Sequence, residues 1–128
     1  MKKNKESNFK LFLKELFKNQ AFVGKITERF KSGIPDIFII RNGFIYWIEA
    51  KVQSRKLTEI QRETLARMAS HGALTFLVDR TVDKEENEII TLFWVDENKK
   101  QHELNWNEFF LSIKAGKEVK VWNMLKVQ

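Results

Sequence analysis

Two segments rich in β-branched and aromatic residues, Asp36 to Arg41 and Phe44 to Val52, flank the dipeptide Asn42-Gly43. Asn-Gly between two such runs is the strongest short-range hairpin signal, because a type I′ turn needs positive φ at both central residues. With a two-residue loop, Arg41 faces Phe44, every later pair of facing residue numbers sums to 85, and Asp36 falls opposite Glu49. Facing residues hold their Cβ atoms roughly 4.5–5.5 Å apart. Two carboxylates about 5 Å apart, in an effective dielectric of about 20, repel by on the order of 3 kcal/mol. A sequence that places them there raises a pKa or binds a cation between them. Glu49 and Lys51 stand two apart on one strand, so they share a sheet face and lie roughly 7 Å apart along it. Ile48, Ala50 and Val52 point the other way.

Two carboxylates beside a lysine supply what phosphodiester hydrolysis needs. The carboxylates hold Mg²⁺ through hard oxygen ligands. The cation lowers the pKa of a bound water and offsets charge developing on the phosphate. The ammonium orients that water or stabilises the transition state. Taken singly, each residue has a plainer reading: Asp36 opens a strand, and Glu49 with Lys51 forms a solvated pair. The three together, in one computed register, favour the chemistry, although a slip of one residue would undo it.

The rest of the chain narrows this reading. Its 128 residues suit one domain, and 43% hydrophobic with 31% charged residues describes an ordinary soluble globule. Lys+Arg 23 against Asp+Glu 17 leaves a net charge of +6, which favours an anionic partner, most often nucleic acid. With no cysteine, a disulfide framework, a zinc–thiolate site and a thiol nucleophile are excluded, and soft metals are disfavoured. His71 and His102 are the only histidines, too few for a multi-histidine site. The apolar runs are too short to span a membrane, and Lys10, Lys14, Glu15 and Lys18 interrupt what would be a signal-peptide core. A cytoplasmic, intracellular protein is expected.

Phe9, Phe12, Leu13, Leu16 and Phe17 recur at helical spacing and predict a helix from about Glu6 to Asn19. A short strand over Ala21 to Ile26 and a polar loop lead to Pro35, the only proline, which holds Ile34 extended. Thr58-Glu59-Ile60-Gln61 reads as a capping box opening a helix that Gly72 ends. A buried strand follows over Ala73 to Val78, then a charged loop over Asp83 to Glu88 and a strand over Ile89 to Val95. A polar turn at Asn98 to Gln101, a helix near Trp106 to Lys114 and a last strand near Glu118 to Trp122 complete the chain. This order indicates an α/β fold with a mixed sheet.

Gly33-Ile34-Pro35-Asp36, Glu49-Ala50-Lys51, and Gln61 in a helix leading to Gly72-Ala73-Leu74 together resemble the PD-(D/E)xK nuclease superfamily. The nearest likeness is to its VRR-NUC branch, with phage-type and Holliday-junction-resolvase-like members. The resemblance covers about Glu6 to Val78. It implies a restriction-endonuclease-like mixed sheet of four strands flanked by helices, to which this chain adds a strand–helix–strand extension over about 79–128. It also implies a DNA-cleaving enzyme that uses Mg²⁺ (or Mn²⁺) and works as a homodimer, with branched DNA or junctions as the finer substrate expectation. Asp36 and Glu49 would be metal ligands, the carbonyl of Ala50 a further ligand, and Lys51 the catalytic lysine.

The resemblance further implies a glutamate on the first helix. Glu6 shares a stripe with Phe9, Leu13 and Leu16; its plainer role is to complement the helix dipole, and Glu15 is the reserve. Gln61 matches a glutamine near the metal site or serves its capping box, and one residue could fill both roles in different states. Lys25, Arg29 and Lys31 before Asp36, and Arg55 with Lys56 after Lys51, flank the site and are read as phosphate contacts. Lys10, Lys14 and Lys18 recur every four residues and read as a solvated helix face. His71, at a helix end, reads as structural. Trp94, Trp106 and Trp122, with Phe93, Phe109 and Phe110, read as core or subunit interface. The alternative to an enzyme is a nucleic-acid-binding module that keeps the nuclease fold without cutting.

Overall fold

A computed structural model describes residues 5–26 and 33–126. In chain order it contains α1 (Lys5–Phe17), β1 (Phe22–Lys25), β2 (Ile37–Arg41), β3 (Phe44–Val52), α2 (Glu59–Ser70), β4 (Leu74–Val82), β5 (Glu88–Val95), β6 (Gln101–Leu104), α3 (Trp106–Ala115) and a 3₁₀ turn, Val121–Asn123. The six strands lie side by side in sequence order. All neighbours are antiparallel except β3 and β4, which run parallel. That one parallel pair cannot be closed by a tight turn and requires a crossover, which α2 provides.

The β2–β3 hairpin forms around Asn42 and Gly43, at φ 51° and 83°, the two positive values a type I′ turn demands. Facing pairs run from Arg41↔Phe44 to Ile37↔Ile48, in the register computed from sequence. The hairpin tip also anchors α3. Arg41 Nε donates to Ile113 O at 3.1 Å, Arg41 Nη2 to Lys114 O at 3.2 Å, and Asn42 Nδ2 to Gly116 O at 2.7 Å. These donors satisfy carbonyls that a helix C-terminus leaves open, and the Arg41 charge complements its dipole.

Side-chain alternation splits the apolar residues between two sheet faces. On one, Phe9, Leu13 and Phe17 of α1 and Phe109 and Ile113 of α3 bury Ile37, Ile39, Tyr46, Ile48, Ala50, Phe76 and Val78. On the other, a smaller cluster of Leu57, Leu65, Leu77 and Val95 lies beneath α2. The buried stripe of α1 is narrower than its sequence implies, since Phe12 is 39% exposed. Trp106, Phe109 and Phe110 pack around Phe17, in keeping with core roles, whereas Trp122 is exposed. Among the described residues no helix is long and apolar enough to cross a membrane.

The C-terminal third departs from expectation twice. The turn expected at Asn98 to Gln101 lies earlier, and Gln101–Leu104 forms β6. The strand expected near Glu118 to Trp122 is absent, replaced by the 3₁₀ turn and an isolated bridge from Leu104 to Leu125. Val119 and Val121 are both buried and so imitate a strand's alternation. Val119 is tied instead to the Tyr46 hydroxyl, which accepts its N–H at 3.3 Å.

Asp96 builds the β5–β6 turn. Its Oδ1 accepts the N–H groups of Asn98 at 2.8 Å and Lys100 at 3.0 Å, and its Oδ2 meets His102 Nε2 at 2.8 Å. Burial acts to raise the Asp96 carboxyl, but the His102 hydrogen bond and the Lys100 and Asn98 amides outweigh it and hold the pKa below the usual carboxylate range. Asp96→Ala is expected to cost about 1–3 kcal/mol in urea unfolding at neutral pH. A carboxyl with a lowered folded pKa stabilises above its unfolded value and loses that contribution as pH falls through the folded one. The gap between wild type and variant should therefore narrow as pH falls below the ordinary carboxylate range.

Candidate active site

Asp36 sits immediately before β2, fixed by the Ile26 N–H, which donates to its carbonyl at 2.7 Å. The hairpin register, carried one residue beyond Ile37↔Ile48, sets Asp36 across from Glu49. Asp36, Glu49 and Lys51 are 5%, 2% and 5% exposed. They are therefore not a solvated pair on an amphipathic strand, because charged residues are almost never this buried unless they are paired. Strand β3 is central and partly parallel, and from Ile48 to Val52 it is buried on both faces. Lys51 Nζ lies 3.8 Å from Glu49 Oε2.

Gln61 performs two tasks at once. Its Oε1 accepts the Thr58 N–H at 3.0 Å, and Thr58 Oγ1 accepts the Gln61 N–H at 3.1 Å, completing the capping box. Its Nε2 donates to Glu49 Oε2 at 3.2 Å. The start of α2 thereby fixes a Glu49 oxygen. His71 is the C-cap of α2, with Gly72 following at φ 93°, a structural position as expected.

Lys10 meets Asp36 from α1, with Glu6 one helical turn before it. Lys10 Nζ contacts Asp36 Oδ2 and lies 3.9 Å from Glu6 Oε1. Arg55 Nη1 approaches Glu6 Oε2 at 3.7 Å. Lys10 is thus not part of a solvated stripe. Lys14 and Lys18 are exposed and fit that description, Lys18 pairing with Glu15 at 2.6 Å. Lys14 and Lys25 line, with Lys10, a groove of about 120 Å³ between α1 and β1. Arg55 and Lys56 open with Arg62 onto a cavity of about 390 Å³ on the α2 face. Basic side chains therefore flank the carboxylates on both sides. Arg29 and Lys31 lie outside the described residues.

Asp79 carries no signal in the sequence. The parallel register pairs it with Lys51, it is buried, and its Oδ1 and Oδ2 accept the Ser54 N–H at 3.0 and 3.2 Å. Burial raises its carboxyl above the ordinary value, against the lowering effect of the Ser54 amide. Nothing local marks it, because its place beside Lys51 depends on how a parallel pair registers across a helical crossover.

The donors available to a metal are hard oxygens: the carboxylates of Asp36 and Glu49 and the carbonyl of Ala50 between Glu49 and Lys51. Among the described residues no three Asp, Glu or His side chains stand together as a ready metal cage. Glu6 connects to Asp36 through Lys10. Asp36 already receives a cation, the Lys10 ammonium, and this donor chemistry suits a hard divalent ion.

No protein-family profile and no curated protein matches this chain. Among solved structures it is similar to Archaeoglobus fulgidus Hjc, a Holliday junction resolvase from an archaeal hyperthermophile. The TM-score is 0.53 and the identity 18%, over 82% of this chain and 92% of that one. The likeness shows the fold: a mixed α/β sheet flanked by helices.

Proposed function

We propose that this chain is a divalent-metal-dependent endodeoxyribonuclease that acts on branched DNA. The observation that carries the reading is the buried group of Asp36, Glu49 and Lys51, braced by Gln61 from the start of α2. A fold shared with a junction resolvase supports the substrate class, and the motif spacing supports a place near the VRR-NUC branch. Asp36, Glu49 and the Ala50 carbonyl would hold Mg²⁺ or Mn²⁺, with Glu6 as the outer carboxylate. When bound, the ion acidifies water and offsets charge on the phosphate. Lys51 then orients the attacking water and offsets the negative charge that grows on the phosphoryl oxygens. Gln61 holds Glu49 in one orientation through its Oε2. The water oxygen bonds to phosphorus, one ester P–O bond breaks, and the leaving oxygen takes up a proton. Lys25, Arg55 and Lys56 contact flanking phosphates, as do Arg29 and Lys31 in this reading, and the chain works as one intracellular domain in a homodimer.

A second reading, a non-cleaving nucleic-acid-binding module, draws on the absence of a three-carboxylate cage among the described residues. Incubation with Mg²⁺ of a four-way junction beside a linear duplex of matched sequence separates the two. The nuclease reading expects metal-dependent products, formed at least about tenfold faster on the junction, equivalent to about 1.4 kcal/mol of transition-state preference. Equal rates on both DNAs would remove the branched-DNA specificity. Bound but uncut DNA under Mg²⁺ and Mn²⁺ would favour the binding module.

A further inference from the structure

Lys10 links two carboxylates that belong to different elements. It reaches from α1 to Asp36 before β2 and lies within 3.9 Å of Glu6, one helical turn back. The Lys10 side chain is 16% exposed and that of Asp36 7%, so this ion pair is shielded as surface pairs are not. Glu6 is also approached by Arg55, at 3.7 Å. One ammonium is thus shared by two carboxylates, and one of those carboxylates is shared by two cations.

We propose that Lys10 is a built-in place-holder for the divalent cation at Asp36, occupying that carboxylate until a metal ion displaces it and then passing to Glu6. The proposal rests on the reading of Asp36 as a metal ligand. A buried aspartate set opposite Glu49 calls for positive charge before any metal arrives. A lysine meets that need with a single charge on a flexible four-carbon stem, whereas a divalent ion brings twice the charge and engages several oxygens. The receiver is already in place. Glu6 stands four residues before Lys10, the more favourable order for such a pair on a helix, and transfer requires only rotation about the lysine stem. Arg55 holds Glu6 from its far oxygen, so the helix face keeps its charge balance in either position. Metal affinity is therefore set by a competition within the chain, with Lys10 lowering it and Glu6 restoring part of the loss.

Mn²⁺ binding to the DNA-free full chain, followed by calorimetry and by electron paramagnetic resonance of free Mn²⁺, tests this without reference to cleavage. Lys10→Met should tighten Mn²⁺ binding about tenfold, the change expected when one shielded ion-pair competitor is removed. Lys10→Gln, which keeps a hydrogen-bond donor for Asp36 but no charge, should do the same and serves if the methionine variant fails to fold. Glu6→Gln should weaken binding by about threefold, because the displaced ammonium loses its receiver. If both Lys10 variants bind Mn²⁺ no tighter than wild type while Asp36→Asn abolishes binding, the place-holder is overturned and the metal site stands. If neither wild type nor the Lys10 variants bind Mn²⁺, the metal site and the place-holder fall together.

Discussion

Asp36→Asn is expected to reduce single-turnover cleavage of junction DNA by about 10³-fold or more, at or above the order expected for removing one transition-state electrostatic partner, with the fold intact. Asparagine keeps the size and one carbonyl oxygen of the aspartate, so the start of β2 and the Ile26–Asp36 backbone hydrogen bond should persist. What is lost is a full negative charge at a buried position, and a neutral amide holds a hard divalent ion far more weakly than a carboxylate. The Lys10 ammonium is not stranded, because Glu6 lies 3.9 Å away. DNA affinity should hold or rise slightly, since the change removes a negative charge beside the phosphate path. A circular-dichroism melt checks the fold, a mobility shift checks binding, and quenched-flow or gel kinetics check the rate. Cleavage within about tenfold of wild type would show that Asp36 holds no catalytic cation.

Lys51→Met should cost about 10²–10³-fold in the same assay. Methionine replaces the lysine stem with a chain of similar length and flexibility, so β3 keeps its contacts while the ammonium disappears. Removing the charge also takes from Glu49 its neighbour at 3.8 Å, although Gln61 Nε2 still donates to Glu49 Oε2. The sign of the metal effect distinguishes Lys51 from Asp36. Losing an ammonium beside a carboxylate should leave Mn²⁺ affinity unchanged or tighter, whereas losing the Asp36 charge should weaken it. A Lys51 variant with wild-type rate would make the buried lysine a structural counter-ion to Glu49 and Asp79.

The part of the site carried by local rules is legible in the amino-acid sequence. Asn42-Gly43 dictates a turn type, the turn dictates a register, and alternation within a nine-residue strand puts Glu49 and Lys51 on one face. The Thr58–Gln61 capping box is equally readable, and both of its reciprocal bonds form. Capping and contact with the site are not alternatives for Gln61, because a glutamine amide has an oxygen for the cap and a nitrogen for Glu49. Helical spacing groups Lys10 wrongly with Lys14 and Lys18, and only tertiary placement brings Asp36 within its reach. Strand β6 offers a single buried apolar residue, Leu104, too little for a period-two signal. The tail beyond α3 shows the reverse error, since alternate buried valines form there without a partner strand along their length. The register of β4 on β3, and with it Asp79 beside Lys51, depends on a crossover that no local rule fixes.

The proposed function is hydrolysis of DNA by the buried carboxylates and Lys51 with a divalent ion. Its most direct test is one gel series on a four-way junction: wild type with Mg²⁺, wild type with EDTA, and Asp36→Asn with Mg²⁺, all at equal bound fraction. Products are expected in the first lane alone. Cutting by wild type in EDTA, or by Asp36→Asn at the wild-type rate, would contradict it.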